Sequence, residues 1–255
     1  MTAFADPVAE ARRIIEAARE TGLAMRAVGG VGVALLAPTI GRLEPRRTYH
    51  DIDLVAPAGT PRIVRMMTAL DYEPARTFNT LNGSERLLFH DADGRRIDVF
   101  LDTLRMCHEL PLQGRLDLAS WPSTLSPADL LLSKLQIVEL TQRDIQDMLA
   151  LLADQNLSET DGEGIELARI RDVCGRDWGW WRTVDDNLAA LVARWSLAAM
   201  TIDPAAAAVL SRARDRARSL RETLAACPKS VGWRIRALVG PRMRWYELPE
   251  ELRQV

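Results

Sequence analysis

The chain has 255 residues, of which 47% are hydrophobic and 27% charged, with a net charge of −2. That is enough apolar material for one large or two small cores, and it excludes a disordered or collagen-like chain. Three cysteines, Cys107, Cys174 and Cys227, are odd in number and widely spaced, which excludes a disulfide framework and a cysteine-based zinc site.

Met1 to Pro7 shows no basic region followed by an apolar core, so no signal peptide is expected and the expected compartment is the cytoplasm. No apolar run is long enough to span a membrane. Leu188 to Met200 comes closest, and Arg194 interrupts it.

Asp6-Pro7 reads as an N-cap with proline at the first helical position, and Gly22 as the stop, which predicts a first helix between them. Leu23 to Val28 reads as a short strand and Gly29 to Ala37 as a small helix ended by Pro38. Thr39 to Tyr49 is expected to be a polar, basic loop. Asp51 to Ala56 is the second strand, and Thr60-Pro61 opens a helix to about Leu70. From Arg76 to Leu101 come strand-like runs broken by turns at Asn82-Gly83 and Asp91 to Gly94. After Ser126-Pro127 the period becomes helical. Asn156 to Gly164 is a polar linker, which predicts a domain at 1–155 and a second, all-helical one at 156–255. Helices are expected over roughly 165–174, 178–200 and 204–226.

Three features carry chemistry. Asp51 and Asp53 alternate along a strand, so their side chains share one face. Strands disfavour aspartate, and two carboxylates this close repel unless a cation lies between them. Hard divalent ions such as Mg²⁺ take oxygen ligands and bridge carboxylates to substrate phosphates. The pair Gly29-Gly30 opens a helix, whose first N–H groups are free to meet phosphate. Alone, that pair is no more than a tight strand–helix turn. A third carboxylate, Asp98, stands in the apolar strand Ile97 to Leu101, with Asp102 as the alternative on the same face and Asp91 and Asp93 in a turn.

The string Ala27 to Leu35, then Arg47-Thr48 and Asp51-Ile52-Asp53, resembles the DNA polymerase β-type nucleotidyltransferase superfamily. Within it, the chain looks closest to the minimal branch that includes AbiEii-like toxins of toxin–antitoxin pairs. The resemblance covers about residues 23 to 155. It implies a small mixed β-sheet nucleotidyltransferase domain flanked by helices, and transfer of a nucleoside monophosphate from an NTP to an acceptor hydroxyl. Asp51, Asp53 and Asp98 would then hold Mg²⁺ or Mn²⁺, with Asp98 activating the acceptor. Gly29, Gly30, Arg47, Thr48 and Lys134 would bind the nucleotide. The likeness also implies tRNA as acceptor and a cognate antitoxin protein as partner. Twenty residues separate Gly30 from Asp51, and Pro38 to Arg46 reads as an insertion.

Other residues have two readings. Arg47 is either a triphosphate ligand or a solvated loop arginine. Lys134 lies on the apolar face of its helix, so it either reaches phosphate or snorkels to the surface. Asp144, in Arg143 to Asp147, either holds Lys134 or Arg143 or is solvated. The tryptophans at 178, 180, 181 and 195 suit a helical core better than base stacking. Residues 211–245 carry ten Arg or Lys against Asp215 and Glu222, a charge segregation that suits a nucleic-acid partner. His50 could bond a phosphate or cap its loop, and His90 and His108 show no metal spacing. Two further classes stay open: a small-molecule nucleotidyltransferase of the antibiotic-modifying kind, and a catalytically silent binding protein of the same fold.

Overall fold

A computed structural model describes residues 3–160, 162–193 and 204–248. The chain divides into two compact units. The first is Met1–Leu36, Thr48–Leu104 and Leu110–Ser126; the second is Ala37–Arg47, Arg105–Glu109 and Pro127–Val255. This differs from the expected boundary after residue 155.

The first unit is a mixed sheet with helices. Helix α1 (Pro7–Glu20) starts where Asp6 accepts hydrogen bonds from the backbone N–H groups of Val8 and Ala9. Strand β1 (Arg26–Val28) leads directly into α2 (Gly29–Leu36). Then follow β2 (Asp51–Ala56), α3 (Thr60–Ala69), β3 (Glu73–Pro74), α4 (Arg76–Asn82), β4 (Arg86–His90) and β5 (Arg96–Leu101). The sheet order is β1-β2-β5-β4-β3. In this sheet β2 and β5 run parallel; β1 with β2, β4 with β5, and β3 with β4 are antiparallel.

The two faces of this sheet differ as the two-residue period demands. Ile52, Leu54, Ala56, Leu87, Phe89, Ile97, Val99 and Leu101 enter one core with Ala11, Ile14, Ile15, Ala18, Ile63, Met66 and Met67 of α1 and α3. The alternate positions, Asp51, Asp53, Arg86, Arg96 and Asp98, therefore share the opposite face.

Residues 76–82 form α4, where a strand was expected. Tertiary contacts override local preference here. The Asn79 side chain brackets β4, donating from Nδ2 to the Leu88 carbonyl at 3.1 Å and accepting from the Leu88 N–H at 2.7 Å. The Ala75 N–H also donates to the Leu88 carbonyl.

In the second unit, α5 (Pro127–Leu135) and α6 (Gln142–Asp154) precede α7 (Leu167–Arg176), α8 (Trp178–Ala193), α9 (Pro204–Ala226) and α10 (Val231–Val239). Helices α5 and α6 belong here because α6 packs on α9, and α5 on α7 and α8. The expected linker contains a short parallel pair, Leu157–Ser158 with Ile165–Glu166. The expected loop after α2 is not fully solvated: Pro38–Arg42 is a 3-10 turn, Ile40 and Leu43 are buried, and Thr39 is bound to Asp154 through its N–H and hydroxyl. Trp178 and Trp180 are buried, as expected of a core, Trp181 is half-buried, and Trp195 lies outside the described residues. Among the described residues no helix is long and apolar enough to cross a membrane.

Candidate functional site

The polar face of the first unit's sheet gathers Asp51, Asp53 and Asp98. Asp51 and Asp53 lie on β2, Asp51 exposed and Asp53 half-buried. Asp98 is directly opposite Asp53 in the parallel β2–β5 register, and Arg96 is opposite Asp51. On the other side of β2, Val28 is the register partner of Asp53. Gly29 therefore turns into α2 beside the Asp53 carboxylate. Its φ is +63°, and a Cβ placed there would stand 2.2 Å from Asp53 Oδ2. Both the backbone conformation and the approach require glycine.

Asp98 has another set of neighbours. Its side chain is 2% exposed, and both oxygens are taken by guanidinium groups. Arg86 donates from Nε to Oδ1 at 2.6 Å. Arg96 brings Nε to 2.7 Å from Oδ2 and Nη2 to 3.4 Å from Oδ1. Sequence reasoning missed both arginines. Arg96 was within reach, since it lies two residues before Asp98 on the same strand face. Arg86 depends on the antiparallel β4–β5 register, which no local pattern encodes.

The other acids near this site have local duties. Asp102 follows β5 with φ 55°, and its Oδ2 accepts from the Ala58 N–H at 3.2 Å. Asp91 accepts from the N–H groups of Asp93 and Arg95 and pairs with the Arg95 side chain. Thr48 and His50 stand together, Oγ1 to Nε2 at 3.5 Å, on an exposed loop.

Arg47 and Lys134 belong to the second unit, where they meet. Asp147 is fully buried and receives both Nε and Nη2 of Arg47 at 3.1 Å. Lys134 Nζ lies 2.8 Å from Asp147 Oδ2 and 3.4 Å from Asp144 Oδ1. Asp144 also forms the capping box of α6 with Thr141. Lys134 is therefore not snorkelling: its charge is paired inside the unit. Asp147, whose role the sequence left open, is the hub of this network.

Does the acidic face suit a divalent ion? Asp51 and Asp53 offer carboxylate oxygens on one face, the donor type that Mg²⁺ and Mn²⁺ take. The Asp53 carboxylate occupies the place that a Cβ at Gly29 would take, against the first residue of α2. Among the described residues, no three acidic, His or Cys side chains stand close enough to hold an ion as they are. The two β2 carboxylates are of the donor type such an ion takes, and Asp98 is held by Arg86 and Arg96. No protein-family model matches the chain, and no curated protein matches it significantly.

Proposed function

We propose that the chain is a metal-dependent nucleotidyltransferase that moves a nucleoside monophosphate from an NTP to an acceptor hydroxyl, releasing pyrophosphate. The observation that carries this reading is the Gly29–Asp53 approach: a helix N-terminus fitted against one of two same-face carboxylates. In this reading Asp51 and Asp53 hold Mg²⁺ or Mn²⁺, and Asp98 accepts the proton of the attacking hydroxyl. The N–H groups at Gly29 and Gly30 receive phosphate oxygens. A divalent ion held there supplies positive charge that orients the triphosphate and offsets charge on the transferred group. The phosphate roles of Arg47, Thr48 and Lys134 rest on the sequence resemblance. So do a tRNA acceptor, a cognate antitoxin and the nucleotidyltransferase identity of the sheet unit.

The test is incubation of the full chain with labelled NTPs, Mg²⁺ and total RNA. Label should enter RNA with wild type, and Asp53→Asn should lower the rate about a thousandfold or more. Near-normal transfer by Asp53→Asn in Mg²⁺ would sink the reading.

One observation favours a small-molecule acceptor as the second reading. Part of the basic segment is engaged within the chain: Arg216 donates to the Leu152 and Ala153 carbonyls, and Arg221 pairs with Asp185. Label passing to an aminoglycoside-type hydroxyl compound but never to RNA would select it.

A further inference from the structure

We propose that Arg86 and Arg96 are triphosphate-binding residues that couple the metal to the nucleotide: while they hold Asp98 the ion binds poorly, and they release it only to phosphate. This rests on the nucleotidyltransferase reading above.

The geometry sets up the exchange. Asp98 is buried between two guanidinium groups, and its register neighbour is Asp53. Three carboxylates and two arginines on one sheet face leave a single net negative charge. A divalent ion arriving alone finds Asp51 and Asp53 but meets repulsion from two fixed cations, and it lacks the third carboxylate. A triphosphate arriving alone finds the arginines but meets three carboxylates. Arginine forks match phosphate oxygens as well as carboxylate oxygens. With both ligands present, Arg86 and Arg96 move their hydrogen bonds from Asp98 to the phosphates, and Asp98 is freed toward the ion. Each ligand thereby removes the obstacle to the other, and such coupling is reciprocal.

The two arginines are not equivalent. Arg86 makes the shorter contact and packs over the Phe78 and Phe100 rings, 5.6 and 5.1 Å from their centroids. Arg96 is more exposed, 39% against 24%, and its Nε stands near Asp98 without a well-aligned hydrogen bond. Arg96 is the arm that swings, and Arg86 is the arm that adjusts in place.

Binding can be read without catalysis. Mn²⁺ affinity of the full chain, followed by electron paramagnetic resonance of the free ion, should rise about tenfold in Arg96→Gln and further in Arg86→Gln/Arg96→Gln. Affinity of the same variants for inorganic tripolyphosphate should fall. Asp53→Asn should abolish Mn²⁺ binding in every background. Unchanged or weaker Mn²⁺ binding in the arginine variants, with Asp53→Asn still abolishing it, overturns the coupling and leaves the metal site standing. Mn²⁺ binding indifferent to Asp53→Asn overturns the nucleotidyltransferase reading and the coupling with it. Removing both arginines leaves a buried carboxylate alone and can unfold the variant, so wild type supplies a second measurement. The Nε–H nuclear magnetic resonance signals of Arg86 and Arg96 should shift when Mg²⁺ and tripolyphosphate are added together, at concentrations where either alone leaves them in place. Signals that stay put with both ligands bound refute the exchange.

Discussion

At Gly29, one missing methyl group decides whether Asp53 can stand against a helix N-terminus. Gly29→Ala forces an L residue to φ +63° and drives its Cβ to 2.2 Å from a carboxylate oxygen. Gly94 is the control, since φ is +81° there and the added Cβ meets open space. Gly94→Ala should cost only backbone strain, about 1–2 kcal/mol. Gly29→Ala should cost more in denaturant unfolding and also weaken Mn²⁺ binding by displacing Asp53. Equal costs with intact binding would show that the approach is incidental. His108 sets a different test. Its ring stacks on Trp180 at 5.0 Å, its Nε2 is 2.8 Å from Thr183 Oγ1, and burial pushes its pKa down to about 4, against a smaller upward pull from Asp177. Between pH 6.5 and 4 the unfolded chain binds a proton that the folded chain refuses. The stability due to neutral His108 is thus complete above pH 6.5 and is lost as pH falls through that window, at most about 3 kcal/mol in all. The stability gap between wild type and His108→Gln should narrow from pH 7 to 4.5, read by chemical unfolding; a constant gap would show that the imidazole is not held neutral. Asp51 and Asp53 were legible as same-face residues because the strand period is local. The burial of His108 was not, because its partners are about 75 residues away in sequence.

Among the elements, α1, α2, β2 and α3 lie close to where caps, glycines and prolines put them, since those signals act within a few residues. Helix α4 shows the opposite. Thr77, Phe78 and Thr80 lean toward strand, and the Asn79 bracket on Leu88, with the Ala75 N–H bond to the same carbonyl, ties the helix to β4. That bracket fixes how α4 lies on β4, the strand that carries Arg86. Asn79→Ala leaves the Leu88 N–H without its side-chain acceptor and should destabilise by about 1–3 kcal/mol. Asn79→Asp keeps the acceptor and should recover part of that loss. Identical melting temperatures for wild type and Asn79→Ala would show that α4 owes its place to something else.

For the whole molecule, the division into units escaped the sequence for a physical reason. The polar stretch Asn156 to Gly164 looks like a boundary, yet α6 before it packs on α9 beyond it, a pairing that only the folded chain reveals. Charge segregation was legible, but not which arginines remain outward. Arg216 satisfies the last carbonyls of α6, and Arg236 donates to the Gly240 and Met243 carbonyls. Arg218 and Arg244 are exposed while bonded to Asp215 and the Tyr246 carbonyl, and Arg212, Arg234 and Arg242 are three further exposed arginines open to a polyanion. An RNA bound through them must release counterions, and its affinity must fall with salt. Changing all three to Ser should flatten the slope of log affinity against log salt by roughly 0.7 to 0.9 for each phosphate no longer neutralised, about 2 units or more in total. Mn²⁺ binding should persist, because Asp51 and Asp53 belong to the other unit. Arg216→Ser should behave differently, lowering the melting temperature because it strands the Leu152 and Ala153 carbonyls. If the triple variant binds RNA as wild type does at every salt concentration, the basic segment is a solvated surface, and a small-molecule acceptor becomes the better reading of the same carboxylates.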